Sequence, residues 1–527
     1  MKNKKTVWIV GVVLCVFAIL GVSTTIFLNN HFWTGHSFVS RSAKRVDLRD
    51  EALSPEDYRR IQDALPDCDI IWNVPFQDTS FASNSRMLTV DSLSEEDLRM
   101  LGFFHSLSIL DASNCNDHDA LLQFRTSYPD CLLLYQVTVN GTPYDWDTTE
   151  LIVSDADIDE LRQSLPLLPG VGKLTLKGAL PDADALKALC ADFPQITFLW
   201  TVDVFGLPVD NTAEELDLSG KTMEYSALEK TLQLLPNLKK VEIQDTNLTD
   251  TELKALIMAH PGCFFHCDLD VLGLTFSTDT TYMDISGLPI SDPSEIEDLL
   301  PCFPMLDRVV MHDCGLSDET MDSLNRRYEN IRFVWTVYVQ GHPLSTDASY
   351  FYPYKMNSKM AVTNEDMEIL RYCPDILCID IGHMWYVTHC EWVKYVPNLR
   401  WLILGETQIS DLSPLANCKN LVYLEIFTIP VTDYSPLVGC TSLEDLCLGR
   451  TYGDPTPLTQ MTWLKNVWWA NTDWPPDNPA FNAEEILTDA LPNTNLRFDL
   501  KHPTDDGWRR LDNYYAMRDL MEMYYLP

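Results

Sequence analysis

Ser219-Gly-Lys-Thr222 has the closing residues of a phosphate-binding loop, in which backbone N–H groups cradle phosphate oxygens and a lysine meets their charge. The glycine such a loop needs five residues before Gly220 is Glu215, so the tetrapeptide reads as a turn after a strand. His383, His389 and Cys390 are metal-ligand types, but a six-residue separation does not bring two imidazoles to one helix face. Neighbouring carboxylates, the tools of glycoside hydrolysis, abound in a chain with 77 acidic residues, so their proximity carries no information. No G-x-S-x-G, H-E-x-x-H, G-x-G-x-x-G, EF-hand or C-x-x-C pattern is present. No catalytic residue, metal ligand or cofactor is assigned, and the expectation is a protein that binds, not an enzyme.

The elements point to a surface instead. Asn398–Leu404 (NLRWLIL), Asn420–Ile426 (NLVYLEI), Ser442–Leu448 (SLEDLCL) and Trp463–Trp469 (WLKNVWW) share one pattern, and Leu399, Leu421, Leu443 and Leu464 are 22, 22 and 21 positions apart. A strand alternates its side chains, so Leu402/Leu404, Leu424/Ile426 and Leu446/Leu448 share an inner face. Trp401, Ile403, Tyr423, Glu425, Phe427, Asp445 and Trp468 fall on the outer face. Large apolar groups facing solvent call for a partner, so these seven form the candidate ligand-binding surface. Replacing Trp401, Tyr423 and Phe427 together by Ser is expected to leave the fold intact and abolish ligand retention.

These stretches, with Gln408-Ile-Ser-Asp-Leu-Ser-Pro-Leu415 and Pro430-Val-Thr-Asp-Tyr-Ser-Pro-Leu437 after the strands, resemble the leucine-rich repeat family, in particular the 22-residue bacterial type of internalin-like surface proteins. The resemblance implies an α/β solenoid, a curved stack with parallel strands on its concave face and helices or turns on its convex face. One coil cannot bury its apolar side alone, so stacking is obligatory. Function does not follow from the resemblance, because such repeats display a surface whose ligand differs between proteins.

Along the chain, Lys2, Lys4 and Lys5 precede an uncharged apolar run at 7–28, which as a helix would span about 33 Å. This predicts a transmembrane signal anchor with residues 1–6 in the cytoplasm and everything after it outside. Residues 29–44 read as a tether. Over 45–360 a longer, irregular repeat is marked by strands closed at Gly141, Gly206, Gly273 and Gly341, which recur after 65, 67 and 68 residues, with a degenerate copy at Trp72–Asp78. Two further strand candidates lie between markers, giving three strands per period. Ser54, Ser94, Thr249, Ser317 and Thr363, each followed by carboxylates, read as helix N-caps. Tyr350-Phe-Tyr-Pro-Tyr354 interrupts the repeat, and Gly382–Trp392 reads as a short helix. Residues 361–475 hold the regular 22-residue coils, and 476–527 a C-terminal cap whose Trp508, Leu511, Tyr515, Met517, Leu520 and Met523 are dense enough to dock. Arg509 and Arg510 are not read as a binding site.

The net charge of −39 repels phosphate backbones and argues against nucleic acid as a partner. The 15 cysteines follow the repeat, with Cys68, Cys131 and Cys263 at one position and Cys418 and Cys440 at another, which suits reduced, buried thiols. The expected protein is single-pass in the cytoplasmic membrane and binds a protein or glycan at or beyond the cell envelope. An envelope hydrolase with its site on the acidic concave face, and a self-assembling structural scaffold, are the alternatives.

Overall fold

The computed structural model describes residues 18–470, 475–498 and 505–523. Residues 1–17, which include half of the expected membrane segment, lie outside this set. Residues 18–30 are helical, with Ile19, Leu20, Val22 and Ile26 more than half exposed. Among the described residues no helix is long and apolar enough to cross a membrane.

Chain contacts divide the molecule into two units, 1–216 with 223–238, and 217–222 with 239–527. In the first unit, parallel strands follow one another in sequence order: Met87–Thr89, Ile109–Asp111 and Leu132–Leu134 form one sheet, and Glu150–Ser154, Lys173–Lys177 and Thr197–Leu199 another. Between such sheets stand antiparallel hairpins, Gln136–Val139 with Thr142–Asp145 and Thr201–Val204 with Leu207–Asp210. The degenerate marker forms one too, Asn73–Phe76 against Thr79–Ala82. Three strands per period is therefore an undercount. Each marker is the first hairpin strand alone; the last parallel strand ends just before it, and a return strand follows the turn. Asn140 and Gly141, at φ 47° and 73°, supply the two left-handed residues that turn a two-residue hairpin.

The second unit continues this scheme before changing it: Lys240–Glu242 runs parallel to Phe264–His266, and the hairpin Asp268–Val271 with Leu274–Ser277 follows. Tyr282–Asp284, Arg308–Val310 and Arg332–Val334 are parallel, and Thr336–Val339 pairs with His342–Ser345. Then follows one seven-stranded parallel sheet, Tyr350–Phe351, Cys378–Asp380, Trp401–Ile403, Tyr423–Glu425, Asp445–Gly449, Asn466–Ala470 and Asn495–Arg497. The aromatic segment at 350–354 thus opens the regular sheet instead of interrupting it, and the sheet closes inside the segment assigned to the cap.

The register is the decisive feature. Phe351, Ile379, Leu402, Leu424, Leu446, Val467 and Leu496 are direct partners from strand to strand, so one aliphatic column runs through the coils. Leu402, Leu424 and Leu446 have no exposed surface. The connecting segments follow coil length. Ten-residue helices such as Asp250–Ala259 and Asp318–Arg327 fit the longer coils, whereas the 22-residue coils leave room only for 3-10 turns at Ser413–Asn417 and Ser435–Gly439, both with proline as the second residue. Ser54, Ser94, Thr249 and Thr363 each complete a reciprocal capping box, and Ser317 accepts from the Thr320 N–H. The helix expected over 382–392 does not form. His383 takes a left-handed φ of 66°, and helical structure begins only at Glu391–Tyr395. Trp392 is fully buried there, while Trp385 and Tyr386 remain exposed.

The described cysteines form no disulfide with one another. Burial pushes the thiols of Cys267, Cys373 and Cys440 up to about 12, which keeps them protonated and packed as small hydrophobes.

Two substitutions test the stacking. Leu424→Ala should lower the unfolding free energy of this unit by about 2–5 kcal/mol through the cavity it leaves in the column. At Gly439 an added Cβ would sit 2.2 Å from the Ala416 carbonyl oxygen of the preceding coil. Gly439→Ala should therefore cost about 1–3 kcal/mol in urea unfolding, and a neutral result would mean that the coils do not meet this closely.

Candidate functional site

The outer face of the seven-stranded sheet carries two side-chain columns. Tyr350, Cys378, Trp401, Tyr423, Asp445, Asn466 and Asn495 form one; Asp380, Ile403, Glu425, Cys447, Trp468 and Arg497 form the other. Phe427 lies beyond them, its ring where a side chain at Gly405 would stand. The structure therefore assembles all seven proposed surface residues on one side of one sheet.

They are not solvent-exposed, which corrects the reading of a free surface. Trp401 is 6% exposed, Ile403 3%, Tyr423 0%, Glu425 0%, Phe427 3%, Asp445 2% and Trp468 4%. Over Trp401, Ile403, Tyr423, Glu425, Asp445 and Trp468 the cover is the chain's own C-terminal segment. Trp508, Tyr514, Met517 and Met521 pack into one cluster with Trp401, Ile403, Tyr423, Cys447 and Trp468, and Leu511, Leu520 and Met523 pack at its edge. The Trp508 ring lies 5.5 Å from that of Tyr423 and 5.3 Å from that of Trp468. Substituting Trp401, Tyr423 and Phe427 by Ser would thus open this core instead of leaving the fold intact.

A buried carboxylate organises the contact. Glu425 accepts the Trp508 indole N–H at 2.8 Å and the Tyr423 hydroxyl on Oε1, and Oε2 faces Arg509 at 3.5 Å. Asp445 accepts from Asn466 at 2.7 Å and from Asn513 at 3.0 Å, and Asn513 also reaches Glu444 at 3.1 Å. At the other end Lys355 donates to the Met521 carbonyl at 2.6 Å. Such pairing is what a buried charge requires. Arg509 therefore does engage the face, contrary to expectation.

The electrostatics follow from this crowding. Burial, then the proximity of Glu425, pushes Asp380 up to about 6, against the Gly382 N–H it accepts and the nearby Arg509 and Arg518. Burial likewise raises Asp445 and Tyr423, the latter also through Glu425. Burial works against a charged Arg509, yet Glu425, with the tyrosines 514 and 423 and Asp380, holds its pKa above the ordinary value. Both Glu425 oxygens are engaged by the chain itself.

The other residues with chemical potential are placed apart. His383 pairs with Glu406 at 2.7 Å, and Cys390 contacts the Asp411 carbonyl oxygen. Gly220 turns with φ 70°, and the Ser219 N–H donates to Asp217. A surface groove of about 550 Å³ between Met311 and Tyr338 has its polar groups paired internally, Trp335 with Asp318 at 2.8 Å and Tyr338 with Asp313 at 2.5 Å.

Residues 397–439, which supply two of these strands, match the family described as leucine-rich repeats, in two copies. This stretch is a leucine-rich repeat. No curated protein matches the chain. Solved structures similar to it include an internalin C2 from Listeria monocytogenes, 18% identical over 51% of this chain and 74% of that one, with a TM-score of 0.19. A second internalin from Listeria monocytogenes is 14% identical over 66% of this chain and 86% of that one, with a TM-score of 0.21. A leucine-rich repeat protein from Leptospira interrogans is 12% identical over 78% and 93%, with a TM-score of 0.26. The leucine-rich repeat register explains why seven residues dispersed over 68 positions reach one surface. It does not explain what covers them. Periodicity says nothing about where a non-repeating tail docks, and the signal available was the Trp508-Arg509 pair beside a run of Tyr and Met.

Asp380 gives a test of the electrostatics. Its folded-state pKa lies above the ordinary value, so the ionised form opposes folding at neutral pH and that cost fades as the pH falls through about 6. Asp380→Asn should therefore raise the unfolding free energy at pH 8 by on the order of 1–3 kcal/mol. The gain should shrink below pH 6 and vanish near pH 4. A gain that is the same at all pH values would contradict the assignment.

Proposed function

We propose that this is a membrane-anchored, extracytoplasmic leucine-rich repeat protein that acts by binding another protein and catalyses no reaction. The observation that carries the reading is the outer sheet face holding a peptide segment by indole, guanidinium and carboxamide contacts to Glu425 and Asp445. A strand face that seats a helix in this way is built for protein recognition, with aromatic anchors at its centre and charge around them. The acidity of the chain favours a basic partner surface and speeds encounter with it. The apolar run at 7–28, preceded by three lysines, supports an anchor that leaves the repeats outside the cytoplasm.

Two measurements test this. A photo-reactive amino acid in place of exposed Trp385, two residues from the His383 ring that meets Phe427 at 6.5 Å, should give discrete adducts with another protein on sealed cells. Absence of protein adducts would refute binding at this edge. Protease added outside sealed cells should remove the repeats and leave a short membrane-bound fragment; a chain protected until lysis would refute the topology.

A further inference from the structure

The C-terminal segment fits its seat incompletely. The indole N–H groups of Trp401 and Trp468 are buried against it, yet among the described residues neither has a hydrogen-bond acceptor. A buried donor without an acceptor costs about 1–3 kcal/mol, so an occupant that supplied acceptors to these two indoles would bind this face more tightly than the segment does. The segment is also held differently from the coils beneath it. Strand joins strand by backbone ladders, whereas among the described residues the hydrogen bonds from 505–523 to the sheet run through side chains, Trp508, Arg509 and Asn513 on one side and Lys355 on the other.

Its helix has little stability of its own. Asp512–Leu520 is nine residues long, and Leu511 at its N-cap makes no side-chain capping bond, whereas Ser54, Ser94, Thr249 and Thr363 close capping boxes on the repeat helices. An uncapped helix of this length is marginal in water, so the sheet face orders it. What the face selects is also plain. Glu425, Asp445 and Asp380 ask for cationic and N–H donors, the Trp401 and Trp468 indoles ask for acceptors, and the apolar ground between them asks for aromatic and thioether side chains.

Resting on the protein-binding reading above, we propose that this face is a docking surface for an amphipathic helix preceded by a tryptophan beside an arginine, as Trp508-Arg509 precede Asp512–Leu520. Residues 505–523 occupy it as an intrachain stand-in that a protein partner of the same chemistry displaces. The partner gains over the stand-in by supplying carboxamide or carbonyl acceptors to the two indoles. The segment thereby keeps a sticky acidic face closed until a better-matched helix arrives, and the binding affinity is lowered by the work of displacing it.

Hydrogen exchange on the full chain, read by mass spectrometry, tests this with a synthetic peptide of residues 505–523 as the probe. Amides of Asp512–Leu520 should exchange at least tenfold faster than those of Tyr423–Glu425. Excess peptide should accelerate them further without changing the strands, and a peptide carrying Trp508→Ala should not. Equal protection of segment and strands, or indifference to the peptide, would overturn the proposal by making the segment a permanent part of the core. Dimerisation that grows with protein concentration while the segment keeps its protection would also overturn it, assigning the face to a second copy. The assay needs no natural partner. Peptide exchange without protein cross-links would therefore refute partner binding at the Trp385 edge and leave the docking surface standing.

Discussion

The whole of the second unit depends on one constraint: a single coil has an apolar side that it cannot bury, so each coil must lie in register on the next. The column from Phe351 through Leu424 to Leu496 is that constraint made visible, because a slip of one residue would turn every leucine outward and every polar group inward. Close approach follows from it. Gly439 exists where the carbonyl of Ala416 leaves no space for a methyl group, and Gly405 where the Phe427 ring lies. The same register that builds the dry inner column also fixes the outer columns, so the position of Glu425 between Ile403 and Cys447 is a by-product of leucine stacking.

That by-product is where function enters. Fixed strands hold Glu425, Asp445 and Asp380 at set spacings on a surface already rich in indole and phenol rings, and bringing carboxylates together under a cover costs free energy unless donors meet them. The C-terminal segment meets most of them. Trp508 and Arg509 answer Glu425, Asn513 answers Asp445, and Asp380 is left with burial uncompensated enough to raise its pKa to about 6. The match is good enough to seat the segment and leaves the Trp401 and Trp468 indole N–H groups unanswered.

How much of this the sequence disclosed depends on what repeats. The 22-residue spacing revealed the strands at 401–403, 423–425 and 445–449 and the sorting of their side chains into two faces, and the hydroxyl-acid pairs revealed the helix starts. It could not show that the outer residues are covered, since alternation distinguishes one face from the other without saying what lies against either. Nor could it show the hairpin return strands, such as Leu207–Asp210, whose alternation is broken by a proline. Six of the seven residues chosen as a surface proved to be a surface already in use. The segment that uses it is the one part of the chain with no repeat to place it.

The claim at the centre is that Glu425 and Trp508 recognise each other specifically, and a double-mutant cycle measures it directly. With Glu425→Gln and Trp508→Phe made singly and together, and unfolding free energies taken from urea melts, recognition predicts a coupling energy of about 1 kcal/mol or more. Effects that add to within about 0.5 kcal/mol would show two residues that are merely buried near one another, and would contradict the account.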